Sequence, residues 1–217
     1  MPTFGKRSIE SQSIEVKRKY FFAFEGNKTE YTYFIGLRNN SKELEINDLI
    51  EIIPLDRDAD DRESHPLKVL EKVKNSISSI QYDSEFDKIF IIVDRDEKSF
   101  SSIQYDKFYS TCVSSSINIG ITNPCFELWL LCHLNNFNTY DKKVIFQNKK
   151  INRSKTFIEK ELSNNLDGYN KSKLDFSKFK DSIDNAIENE KSIEQDILKI
   201  KNELGSNIGV IIQEMKK

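Results

Sequence analysis

Apolar residues along this chain form short unbroken runs and helical stripes, and the two kinds alternate. Tyr20 to Phe24 is a continuous apolar run too short for a helix, ending at Glu25-Gly26. That is how a strand buried on both faces reads. Lys88 to Val93 is the clearest run of this kind and ends in Asp94-Arg95-Asp96. Leu49 to Leu55 and Ile117 to Ile121 read as further strands. Between them, residues 29–39 carry Tyr31, Phe34, Ile35 and Arg38 at helical spacing. Pro66 to Ile80 places Leu67, Leu70, Val73 and Ile77 on one face, and a third helix is predicted near 101–115. Pro124 to Leu134 is a strongly apolar helix, with Asn123 as its cap and Pro124 in its first turn. This order predicts an α/β fold: a mostly parallel sheet flanked by helices.

Past residue 135 the pattern changes. Residues 138–155 are polar and Lys-rich, 156–166 and 176–204 read as amphipathic helices, and Asn207 to Met215 as a short last helix. The predicted organisation is an arm over 1–17, a core over 18–135, and a helical C-terminal extension over 136–217 packed on that core. The chain has 217 residues, a length that suits one large domain. Lys+Arg 33 nearly balances Asp+Glu 35, so any nucleic-acid contact has to come from a local basic patch. No apolar run approaches the roughly 20 residues needed to cross a bilayer, and the polar start predicts no signal peptide. Three unpatterned cysteines (Cys112, Cys125, Cys132) suit a reducing cytosol, so the expected location is cytoplasmic, without membrane contact.

The chemistry sits where the apolar runs stop. Parallel strands bring their carboxyl ends to one sheet edge, where open α/β folds bind ligands. Glu25, Asp94 and Asp96 are therefore expected to converge, and three carboxylates repel one another unless a cation lies between them. Mg²⁺ (or Mn²⁺) fits, because it takes few protein carboxylates and keeps water or phosphate oxygens as its other ligands. Glu25 is then a candidate acid or base at a phosphodiester. Gly26 leaves room for a substrate, and Asn27 with the following helix amides offers a phosphate cradle.

Blander readings stand beside these. Asn27 with Glu30 matches a capping box, which makes Glu30 a helix cap and not a ligand. Asp56, Asp58, Asp60 and Asp61 lack the glycine and closing glutamate of a calcium loop and read as solvated. Glu127 either favours its helix dipole or joins the acidic site with Asn123; His133 is either a satisfied core imidazole or a secondary site residue. Cys125, Cys132 and His133 lack zinc spacing, and no nucleophilic triad is recognisable. The run Lys142, Lys143, Lys149, Lys150, Arg153 and Lys155 is a solvated face or a backbone-phosphate contact; Lys149, Lys150 and Arg153 are its main candidates.

Phe24-Glu25-Gly26-x-x-Thr29-Glu30-x-x-Tyr33-Phe34, Val93-Asp94-Arg95-Asp96 and Asn123-Pro124-Cys125-Phe126-Glu127-x-Trp129-Leu130-Leu131-x-His133 together resemble the RloB-like family. Tyr169-x-Lys171, Ala186 to Lys191 and Asn207 extend the likeness over residues 18–215. The resemblance implies a Toprim-like fold, the acid/base role for Glu25, and the metal for Asp94 and Asp96. It also implies a nuclease of bacterial phage defence, controlled by an ATPase encoded alongside. RNA, tRNA included, is favoured over DNA by analogy with related defence effectors. The chain departs from the family at Asn207-Ile208-Gly209-Val210, where Asn-Pro-Ser-Thr is usual, and the Toprim glycine near Asp-x-Asp has no clear counterpart. Two rivals stay open: a non-catalytic regulatory or partner subunit of a defence ATPase complex, and a phosphoryl-transfer enzyme acting on nucleotides.

Overall fold

The computed structural model describes residues 17–26, 28–55, 65–153 and 155–217. The first half alternates β1 (Arg18–Phe24), α1 (Thr29–Asn39), β2 (Ile50–Pro54), α2 (Pro66–Ser76), β3 (Lys88–Asp94), α3 (Ser102–Ser114) and β4 (Asn118–Asn123). Then follow α4 (Glu127–Cys132), a 3-10 turn (Phe137–Thr139), α5 (Lys142–Gln147), α6 (Phe157–Asn165), α7 (Ser177–Lys180) and α8 (Ile183–Glu190). α9 (Ile197–Ile200), β5 (Gly205–Ser206) and α10 (Ile208–Met215) complete the chain. The sheet order is β2-β1-β3-β4-β5, with the first four strands parallel and β5 antiparallel to β4. The α/β architecture is therefore the one the alternating pattern predicts.

The unbroken apolar runs follow from burial on both faces. Alternate residues of a strand point opposite ways. Tyr20, Phe22, Phe24, Phe90 and Ile92 share one core with α1, α4 and the C-terminal helices, while Phe21, Ala23, Ile89, Ile91 and Val93 share the other with α2 and α3. Phe22 stacks on Phe90 with centroids 4.9 Å apart. Each such side chain removed from water contributes about 1.5–3 kcal/mol.

Three expectations need correction. The apolar helix after β4 begins at Glu127, not at Pro124, and its N-cap is Phe126 without a side-chain bond. Asn123 instead continues β4, pairs with Gly205, and donates its amide to the Ile200 carbonyl at 2.7 Å. The stretch 176–204 is broken into three short helices, and between the second and third Glu194 bonds the backbone of Leu204 and Ser206. Lastly, the C-terminal segment does more than pack on the core. It supplies β5, and Asn207 accepts from Ile121 N (2.7 Å) and donates to Ile119 O (2.8 Å), closing the free edge of β4. The arm at 1–16, Asn27 and the acidic cluster at 56–61 lie outside the described residues.

Candidate functional site

β1 and β3 are neighbours in register, Phe24 beside Ile92, so the residues that follow them arrive at the same edge. The ladder runs one step further: Glu25 N donates to Ile92 O at 2.9 Å, and the Glu25 side chain turns back so that Oε2 accepts from Asp94 N at 3.0 Å. Asp94 Oδ1 accepts from the hydroxyl of Thr122, its partner across β4, at 2.9 Å. Glu25 and Asp94 are thus locked to each other by the backbone of adjacent strands.

Two more carboxylates join them. Glu30, in the first turn of α1, is buried and lines the same cavity. A Cβ on Gly26 would collide with its carboxylate, so any larger residue there has to push the Glu30 side chain from its place. The helix has Lys28 as its N-cap, which makes no side-chain cap bond, and the capping-box reading falls on Asn27, outside the described residues. Glu127, in the first turn of α4, is also buried and lines the cavity. Its Oε1 accepts from Tyr169 Oη at 3.1 Å and faces Lys171 Nζ at 3.6 Å. The cavity is open, about 330 Å³, and its wall also includes Lys28, Thr29, Lys171 and Ser172.

The electrostatics follow from the crowding. Burial first, then Glu30, Glu127 and Glu25, hold the Asp94 carboxyl well above the usual carboxylate range, with the Thr122 hydroxyl pulling the other way. Glu127 raises the Lys171 ammonium above its ordinary value, which keeps it charged. Burial and then Glu127 and Asp94 push the Cys125 thiol upward, so it stays protonated and inert. Among the described residues, no group of three or more His, Cys, Asp or Glu side chains is set to hold a metal ion.

Asp96 does not line the cavity. It is exposed, and its carboxylate accepts from Lys98 N (3.0 Å) and Ser99 Oγ (3.0 Å) of its own turn. Arg95 is the cause. Its side chain is fully buried, bonds the carbonyls of Lys201 (2.9 Å) and Phe100, and lies against the rings of Phe100 and Tyr105. That anchor sends the next residue out to solvent.

His133 belongs to the core. Its Nδ1 is 3.0 Å from Trp129 O, which can only accept, so Nε2 takes the Tyr33 hydroxyl proton at 3.0 Å. Burial lowers it to about 4, and it remains neutral. Asn123 is likewise structural, held on Ile200 O. Lys149, Lys150 and Arg153 are exposed on the turn after α5, where Asn148 donates to Cys125 Sγ at 3.5 Å. Sequence reasoning assigned no site role to Glu30, Lys28, Tyr169 or Lys171. A carboxylate two positions into the helix after Glu25 is the one local signal that pointed to Glu30; Lys171 sits in a polar linker without periodicity.

The acidic cavity lies at the carboxyl edge of the parallel strands, the edge at which open α/β folds bind their ligands. The chain belongs to the RloB-like protein family, whose family model matches residues 20–215. No curated protein and no solved structure matches it. Among the described residues no helix is long and apolar enough to cross a membrane.

Proposed function

We propose that this chain is a metal-dependent phosphodiesterase with a Toprim-like core, a nuclease of bacterial antiviral defence controlled by an ATPase partner. The supporting observation is the crowding of Glu25, Glu30, Asp94 and Glu127 around one open cavity at the strand ends. Like charges so placed leave an electrostatic deficit that a hard cation relieves.

The donor set is all oxygen, which suits Mg²⁺ or Mn²⁺ and not a thiolate-seeking metal. Mg²⁺ needs only one or two protein carboxylates, and Glu25 and Asp94, tied by the hydrogen bond from the Asp94 backbone N–H to the Glu25 carboxylate, are the pair that would hold it. Asp96, expected at the site from its strand-end position and from the resemblance, lies outside the cavity as folded. When bound, the cation would supply charge neutralisation at the phosphate. Glu25 would pass a proton to or from the reacting oxygens, and Glu127 would orient its neighbours at the rim. Lys149, Lys150 and Arg153 would contact the nucleic-acid backbone, with RNA favoured over DNA.

Purified protein incubated with labelled tRNA, total RNA and plasmid, with Mg²⁺, Mn²⁺ or EDTA, tests this. Cleavage in the metal arms that disappears in EDTA and in Asp94→Asn is the expected result. Intact substrates in every arm, with and without the ATPase encoded alongside, would overturn it in favour of a non-catalytic partner subunit.

A further inference from the structure

A cavity walled by four carboxylates repels a phosphodiester, and one divalent cation offsets only half of that charge. The remainder has to be met by fixed cations, and among the described residues the wall offers two: Lys28 and Lys171. Lys171 is the better placed. Its backbone carbonyl accepts from Thr29 Oγ1 at 2.8 Å, and Thr29 is buried in the first turn of α1, so the linker is tied to the same helix that carries Glu30. Its side chain is 61% exposed while that of its partner Glu127 is 6% exposed. The 3.6 Å separation is longer than a tight ionic hydrogen bond. Glu127 Oε1 already accepts the shorter bond from Tyr169. Glu127 therefore retains a partner when Lys171 turns away.

Resting on the phosphodiesterase reading, we infer that Lys171 is the substrate's phosphate receptor. Its ammonium leaves Glu127 for a non-bridging oxygen of the nucleic-acid backbone, while Tyr169 and Glu127 hold the linker in place. An ammonium is a point charge without base-reading geometry, so this contact adds affinity without sequence preference.

Binding of two fluorescent single-stranded RNA oligonucleotides of unrelated sequence is measured in Mg²⁺ across a salt series, with Asp94→Asn as the non-cleaving parent. Adding Lys171→Gln should weaken both sequences about tenfold at moderate salt and reduce the salt slope by about 0.7, the single-strand value for one phosphate contact. Adding Lys171→Arg instead should restore both. A purely structural lysine would lower the melting temperature without changing the slope. Unchanged affinity and slope in a folded Lys171→Gln variant would overturn the inference while leaving the phosphodiesterase reading intact. A parent that binds neither oligonucleotide, together with a wild type that cleaves nothing, would overturn both.

Discussion

Two buried carboxylate environments in this protein are opposite in construction. Glu190 is fully buried at the N-terminus of α10, where Oε1 accepts from Ser206 Oγ (2.6 Å) and Gly209 N (2.9 Å), and Oε2 from Gln195 Nε2 (2.9 Å) and Val210 N (3.2 Å). Asn207, the N-cap residue of that helix, spends its side chain on β4 and makes no cap bond to the helix itself, so a carboxylate from a distant helix supplies the cap. Gly209 is needed because a Cβ there would press on the Glu190 oxygen at 2.7 Å. Burial raises Glu190 to about 7, with every hydrogen bond pulling it back. Asp94 is raised by burial too, but its next three causes are other carboxylates, and one hydroxyl opposes them. The Glu190 carboxylate is dressed by donors, whereas the carboxylates around Asp94 face one another.

The strongest way to break this comparison is Asp94→Asn. Cleavage should fall by roughly 10²–10⁴-fold, the scale at which site charges act. The metal-free variant should melt no lower than wild type, because one repelling charge is gone. Initial rates and melting curves on the same preparation check both halves. A large drop in melting temperature would place Asp94 in the same class as Glu190.

Glu190→Ala should do the reverse. Four donors lose their acceptor inside the protein, which costs about 3 kcal/mol or more. Urea unfolding should show an earlier midpoint, and cleavage per folded molecule should stay close to wild type. Activity lost beyond the unfolded fraction would mean that α10 communicates with the cavity.

Much of this contrast was readable in advance, for local reasons. A strand buried on both faces has no polar positions, so β1 and β3 announce themselves and their ends are fixed to within a residue. Glu25 and Asp94 inherit that certainty. Asp96 does not, since an Asp-x-Asp spacing says nothing about which way a turn faces, and here the buried Arg95 decides. Glu30 was hidden by a capping pattern that satisfied the same residues. Lys171 and Glu190 owe their roles to contacts 44 and 16–20 residues away along the chain, which no local period encodes. The gap between α8 and α9 has the same origin, since the Glu194 backbone is taken by Leu204 and Ser206.

The pH dependence sharpens the comparison further. Glu190 rises from an ordinary 4.5 to about 7 on folding, so the folded state holds its proton more tightly. Its contribution is fully present below about 4.5 and is lost as pH rises through about 7, on the order of 3 kcal/mol in all. His133 acts with the opposite sign, present above about 6.5 and lost as pH falls toward about 4. Other groups cancel when the stability of Glu190→Gln is subtracted from that of wild type. That difference should move in favour of the variant as pH rises from 4.5 to 7. A flat difference would mean that the four donors fully offset the burial.

The smallest expected effect belongs to Asp96→Asn, and it discriminates between two pictures of the site. As folded, the Asp96 carboxylate caps its own exposed turn through Lys98 N and Ser99 Oγ, a role in which an amide oxygen can still accept. Stability should change by less than about 0.5 kcal/mol, as for a surface substitution that keeps its bonds. Cleavage should fall far less than in Asp94→Asn, because Glu25 and Asp94 are already joined at the strand ends. If the two variants prove equally inactive, the turn at 95–99 must rearrange when the cation arrives, giving up two hydrogen bonds to bring Asp96 inward. Arg95 would be the pivot, since its bonds to Lys201 and Phe100 fix the residue beside the one that swings. Arg95→Lys cannot reproduce that forked anchor. In that second picture it should reduce cleavage beyond any loss of stability, and in the first it should lower the melting temperature alone.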